Sequence, residues 1–181
     1  MGKRSSFKRR ESDFYPTPIE AVLPLLNHLS INTKYQEPCC GELDLCDHLD
    51  YFGHSCEGIS DIKGSVAGFY APPVNAMDIT SCAGEMFITN PPWPAVGQHG
   101  DPTIAMALHL SDIAPTWFLL NADVMHNKYF SKVADRCRRI VSVGRVKWIS
   151  DSPGPGKENC AWFLFDPTGA DGPIEFYPRL A

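Results

Sequence analysis

Residues 85–94 read EMFITNPPWP. Met86, Phe87, Ile88 and Thr89 have the apolar, β-branched and aromatic character of a buried strand. That strand must stop at about Asn90, because neither Pro91 nor Pro92 can donate to a sheet ladder. It therefore delivers an amide, and then a tryptophan, onto a tip stiffened by two prolines. Outward from this strand, short apolar runs at 34–39, 54–62, 74–79 and 116–122 alternate with helical patterns at 42–52 and 102–114. The alternation predicts a parallel sheet with crossover helices. Ile19, Val22, Leu23, Leu26 and Leu29 recur at helical spacing after Thr17-Pro18 and predict an amphipathic helix over 18–30, with Pro24 kinking it or sitting in its first turns. Near the end of the chain, 139–149 and 159–165 are strand-like runs joined by SDSPGPGKE with no helix between them, so an antiparallel hairpin is expected. The expected fold is an α/β, mixed doubly wound sheet whose ligands lie beyond the strands' carboxyl ends.

The chain has 181 residues, 44% hydrophobic and 20% charged, enough to bury one sizeable core, and a single domain is expected. No apolar run approaches the roughly 18 residues of a membrane span, and the basic N-terminus lacks the apolar stretch of a secretory signal, so the expected location is cytoplasmic. Seven cysteines, at 39, 40, 46, 56, 82, 137 and 160, lack the spacing of a disulfide framework and read as reduced thiols. Cys40, Cys46, His48, His54 and Cys56 crowd together, but without paired C-x-x-C knuckles no metal site is expected. Net charge is −5, yet MGKRSSFKRR holds five of the sixteen basic residues. A basic arm over 1–12 on an acidic body over 13–181 fits phosphate contact and fits a plain solvated tail equally well.

Three loops at expected strand ends carry unusual residues: EPCCGELDL at 37–45, SDI at 60–62 and MDIT at 77–80. A glycine turn entering a helix lets a ligand approach the backbone, and carboxylates on neighbouring strand ends can accept hydrogen bonds from ribose hydroxyls or an adenine amino group. In this order, followed by NPPW at 90–93, the series resembles the phage-type adenine-specific DNA methyltransferases. DFYPTP at 13–18, TWFLLNADVMHN at 116–127, VGRVKWI at 143–149 and GKENCAWFLF at 156–165 extend the resemblance. It implies a Rossmann-like, class I methyltransferase fold with a seven-stranded sheet, S-adenosyl-L-methionine as cofactor, and DNA as substrate partner. It also implies site residues: Tyr15 and Thr17 at the cofactor's methionine end, Glu37 and Gly41 shaping the loop beside it, Asp61 at the ribose and Asp78 at the adenine.

The chemistry of the tetrapeptide follows from what adenine's 6-amino nitrogen lacks, a localised lone pair. The Asn90 side-chain oxygen and the Pro91 carbonyl can accept its two N–H bonds, while Pro91 and Pro92 hold both acceptors in place. Trp93 offers a face for a base taken out of the duplex. Phe7 or Phe14 could clamp the opposite face. One residue departs from the family pattern: Leu43 stands where a second glycine is usual, so this position either needs positive φ and close approach to the cofactor or marks a loop rebuilt around a leucine. Only 48 residues separate Gly41 from Asn90, which leaves no room for an inserted target-recognition domain. Short loops at 94–102 and 150–159 then read the substrate, or serve as plain connectors. The alternatives are a methyltransferase for RNA adenine or protein glutamine, and a nucleic-acid-binding relative without turnover.

Overall fold

The computed structural model describes residues 15–64, 73–93, 102–149, 151–168 and 172–179. Its basis is a seven-stranded sheet: β1 (Lys34–Glu37), β2 (Ser55–Ile59), β3 (Met86–Thr89), β4 (Thr116–Asn121), β5 (Cys137–Gly144), β6 (Cys160–Phe165) and β7 (Glu175–Tyr177). Across the sheet the order is β2-β1-β3-β4-β6-β5-β7. The pairs β1–β2, β1–β3, β3–β4 and β5–β7 are parallel, whereas β6 is antiparallel to both β4 and β5. The chain steps from β1 to β2 on one side and later returns to lay β3 on the other side of β1. The carboxyl ends of β1 and β3 therefore flank a topological switch point, where an open α/β sheet leaves a crevice.

Side-chain alternation builds a core on each face. Phe87, Phe118, Phe163 and Phe165 point to one face, where Ile104, Ala107 and Leu110 of α3 (Pro102–Ser111) cover them. Ile88, Trp117, Leu119 and Trp162 point to the other, under α1 (Ile19–Leu26) and α2 (Asp44–Tyr51). The indole N–H of the fully buried Trp162 donates to the Ala21 carbonyl at 2.7 Å, pinning α1 to the sheet. Burying Phe87 and Ile88 from adjacent positions on opposite faces is what a central strand covered on both sides requires.

Several expectations need correction. The helix expected to reach residue 30 ends at Leu26, two residues after Pro24, which cannot donate the bond that would continue the turn. The strand expected over 74–79 is a 3-10 turn, Ala76–Asp78, because the Asn75 side chain accepts the Met77 N–H at 3.0 Å and draws the backbone out of extension. Asp61 and Pro73 form only an isolated bridge there. The sheet keeps seven strands through β7, which the sequence reading missed; β7 pairs parallel to β5 at the far edge, with Arg139 bridged to Glu175 at 2.7 Å. β5 stops at Gly144, where φ is +84°, rather than near residue 149. Three 3-10 turns between 122 and 136 were also not anticipated. The hairpin of β5 and β6 is antiparallel as expected.

Candidate active site

At the switch point a cavity opens between the ends of β1, β2 and β3. Tyr15, Thr17, Glu37, Gly41, Asp61, Asn90, Pro91, Pro92 and Trp93 all line it. Of the residues singled out from sequence, Asp78 alone does not; it is exposed, and the 3-10 turn that replaces the expected strand presents Asn75 and Ala76 to the cavity instead. Phe7, Phe14, the basic arm and 94–101 lie outside the described residues.

The loop after β1 is held by its own polar groups. The Ser60 N–H donates to the Glu37 carbonyl and the Cys40 N–H to the Ser60 carbonyl, both at 3.0 Å, so the chain after β1 stays paired to the end of β2. The Gly41 N–H donates to Asp61 Oδ2 at 3.2 Å and the Lys63 N–H to Asp61 Oδ1 at 2.9 Å, which fixes that carboxylate at the cavity wall. Gly41 has φ +49° and Leu43 φ +72°, two left-handed residues within one tight turn into α2. The expectation of positive φ at Leu43 is met, and its side chain is also half-buried against the core formed by α1 and α2.

Glu37 is 1% exposed. Its Oε1 accepts the Cys39 N–H at 2.9 Å, and among the described residues no lysine or arginine forms an ion pair with it. Burial raises its pKa to about 8, with the nearby Cys56 and Asp61 adding to the rise. Next to it on β3, the fully buried Thr89 hydroxyl has no hydrogen-bond partner. Glu42, Asp44 and Glu158 also line the cavity, opposed by Lys63 and Lys157. An acidic pocket with an uncompensated buried carboxyl and a left-handed glycine turn suits a ligand that carries positive charge and ribose hydroxyls, and S-adenosylmethionine fits that description. No group of three or more histidine, cysteine or carboxylate side chains among the described residues is placed to hold a metal ion.

The tetrapeptide at the end of β3 is anchored from three sides. Asn90 Nδ2 donates to Thr17 Oγ1 at 3.1 Å. Thr103 Oγ1, at the start of α3, donates to the Pro92 carbonyl at 3.1 Å. Trp93 Nε1 donates to the Leu119 carbonyl at 3.1 Å, so the tryptophan expected to be a free stacking face is tethered by its polar edge to β4. Its ring meets Trp148 edge to face, centroids 5.5 Å apart at 81°. Trp148 also lines the cavity, as do Gly156, Lys157 and Glu158 from the loop expected to be either a reader or a connector. The Gly156 N–H donates to the Val146 carbonyl at 2.8 Å, and a Cβ on Gly156 would sit 3.2 Å from Trp148, so this loop lies directly on the indole. Sequence reading passed over Trp148, although the tryptophan in VGRVKWI was the available signal.

No protein-family model and no curated protein sequence matches the chain. Solved structures do match. A Pyrococcus horikoshii protein described as a candidate RNA methyltransferase is 16% identical with a TM-score of 0.55, over 91% of this chain and 93% of that one. A Listeria monocytogenes protein described as a candidate class I S-adenosylmethionine-dependent methyltransferase is 10% identical with a TM-score of 0.51, over 88% and 62%. The M protein of the type I restriction enzyme EcoKI is 12% identical with a TM-score of 0.51; the match covers 91% of this chain and about half, 48%, of that one. The fold is that of class I S-adenosylmethionine-dependent methyltransferases. No helix among the described residues is long and apolar enough to cross a membrane.

Proposed function

We propose that this chain is an S-adenosyl-L-methionine-dependent methyltransferase that acts on the 6-amino group of adenine in DNA. One observation carries the reading: the Asn90-Pro91-Pro92-Trp93 loop faces the same cavity as Glu37, Gly41 and Asp61, so an amide acceptor and an acidic, glycine-turned pocket share one space. When bound, the cofactor supplies an electrophilic methyl group on a sulfonium centre. Glu37 and Asp61 offer negative charge and hydrogen-bond acceptors to that cation and its ribose, with Asn75 in the place expected of Asp78. Asn90 Oδ1 and the Pro91 carbonyl accept the two N–H bonds of the target amine, turning its lone pair toward the methyl group. As the N–C bond forms, the nitrogen gains positive charge that both acceptors stabilise, and it then gives up one proton. Trp93 and Trp148 wall the space in which an extruded base would sit. The phage-type resemblance favours DNA over RNA adenine or a protein glutamine amide.

The test uses labelled S-adenosylmethionine with unmodified duplex DNA, RNA and a protein mixture in parallel, followed by mapping of methylated adenines. Label on DNA adenine supports the proposal. Label on RNA or protein alone would move the activity to one of those substrates, and cofactor binding with no label on any of them would point to a binding protein.

A further inference from the structure

Thr17 was expected to help hold the cofactor, but its hydroxyl is engaged by Asn90 instead. Asn90 Nδ2 lies 3.1 Å from Thr17 Oγ1, across 73 positions of sequence, and Thr17 is only 5% exposed. Both residues line the cavity. We infer that Thr17 is a positioning residue that locks the orientation of the Asn90 amide, so that its oxygen, and not its nitrogen, is presented to the substrate amine; the inference rests on the function proposed above.

A carboxamide has two nearly equal-sized ends of opposite character, an acceptor oxygen and a donor NH2. With the NH2 bound to Thr17, the oxygen is left for the target. With the amide turned over, a donor would face the N–H bonds of the substrate amine, with no acceptor for either. An aspartate needs no such lock, since both of its ends accept. The asparagine at this position therefore creates a requirement, and a hydroxyl at residue 17 meets it. A hydroxyl can also donate, so the same threonine would tolerate a carboxylate at residue 90 by rotating its hydrogen.

The test is a double-mutant cycle of Thr17→Val and Asn90→Asp, with Thr17→Ser as the rescue. In the Asn90 background, Thr17→Val should lower kcat by about 30-fold or more, approaching the scale for losing a preorganised contact in the transition state. Thr17→Ser should recover most of that rate, and the S-adenosylmethionine Kd should shift less than about twofold in either variant, a difference worth under about 0.4 kcal/mol. In the Asn90→Asp background, Thr17→Val should cost less than about threefold, because no wrong orientation exists. Equal penalties in the two backgrounds, or a penalty carried by cofactor affinity, would overturn the inference. Thermal melts identify any variant that fails to fold.

A second measurement needs no turnover. In 15N-labelled protein the two side-chain amide protons of Asn90, assigned by their loss in Asn90→Asp, should exchange with solvent at different rates, and Thr17→Val should abolish the difference. If wild type methylates no adenine, the proposed function fails, and this exchange measurement alone decides whether the lock exists. Equal exchange rates in wild type refute it.

Discussion

The buried carboxyl of Glu37 should couple cofactor binding to proton release. With a pKa of about 8, Glu37 is roughly nine-tenths protonated at pH 7 and roughly one-tenth at pH 9 in the free protein. A cation bound within about 4–6 Å typically lowers such a pKa by about 1–3 units. Binding of S-adenosylmethionine at pH 7 should therefore expel about 0.4–0.9 proton from Glu37, against less than about 0.1 at pH 9, and affinity should rise with pH until it levels off above 8. Titration calorimetry in buffers of different ionisation enthalpy reads the proton count directly. The cofactor's own α-amine, near about 7.7–8.0 in free amines, titrates in the same window. Glu37→Gln serves as the reference, since it keeps an acceptor for the Cys39 N–H and removes only the titration. The wild type minus Gln difference is the quantity predicted; equal proton release in the two proteins at pH 7 would refute the coupling. Stability gives the same sign. The unfolded carboxyl ionises near 4.5 and the folded one near 8, so the unfolded chain holds fewer protons between those values. The contribution is fully present below about 4.5 and is lost as pH rises through 8, on the order of 4–5 kcal/mol for this single group. The wild-type melting temperature should fall across that window more steeply than that of Glu37→Gln.

Asn90→Ala should lower methyl transfer by about 100-fold or more with cofactor affinity nearly unchanged, by single-turnover kinetics and calorimetry; normal turnover would remove Asn90 from the chemistry. Trp148→Ala should release the edge contact that steadies Trp93 and weaken productive substrate binding by roughly 1–3 kcal/mol, seen as a higher KM with little change in melting temperature. Trp93→Ala, which also loses the bond to the Leu119 carbonyl, should weaken binding and lower the melting temperature together. Leu43→Gly should change stability by less than about 1 kcal/mol, because relief of a left-handed leucine, about 1–2 kcal/mol, offsets the lost packing of a half-buried side chain. Leu45→Ala, fully buried two residues on, should cost about 2–5 kcal/mol by denaturant titration.

The parts legible in the sequence are those decided by a residue and its near neighbours. The strand at Met86–Thr89 was readable because its apolar run ends against two prolines, and the acceptor at Asn90 was readable because a strand end must hand its next residue to the loop. The turn at Ala76–Asp78 was readable too, but only if Asn75 is taken as an Asx cap and not as a strand residue; the apolar Val74, Met77 and Ile79 outweighed it, and Asp78 was placed in the site as a result. β7 carried no local signal, being three residues held by pairing to β5 and by the Arg139–Glu175 bridge. Trp148 and Thr17 failed for the same physical reason. A tryptophan after a strand looks like core, and a threonine before a helix looks like a cap. What makes one a cavity wall is the return of Gly156 onto its indole, and what makes the other a partner of Asn90 is a contact across 73 residues. Leu43 lies between these cases: its left-handed backbone was expected because a glycine was missing, but its packing against the α1–α2 core appears only once those helices are in place. That packing explains how a leucine can occupy a glycine's conformation here, since burial of its side chain offsets a strain that an exposed residue would bear uncompensated.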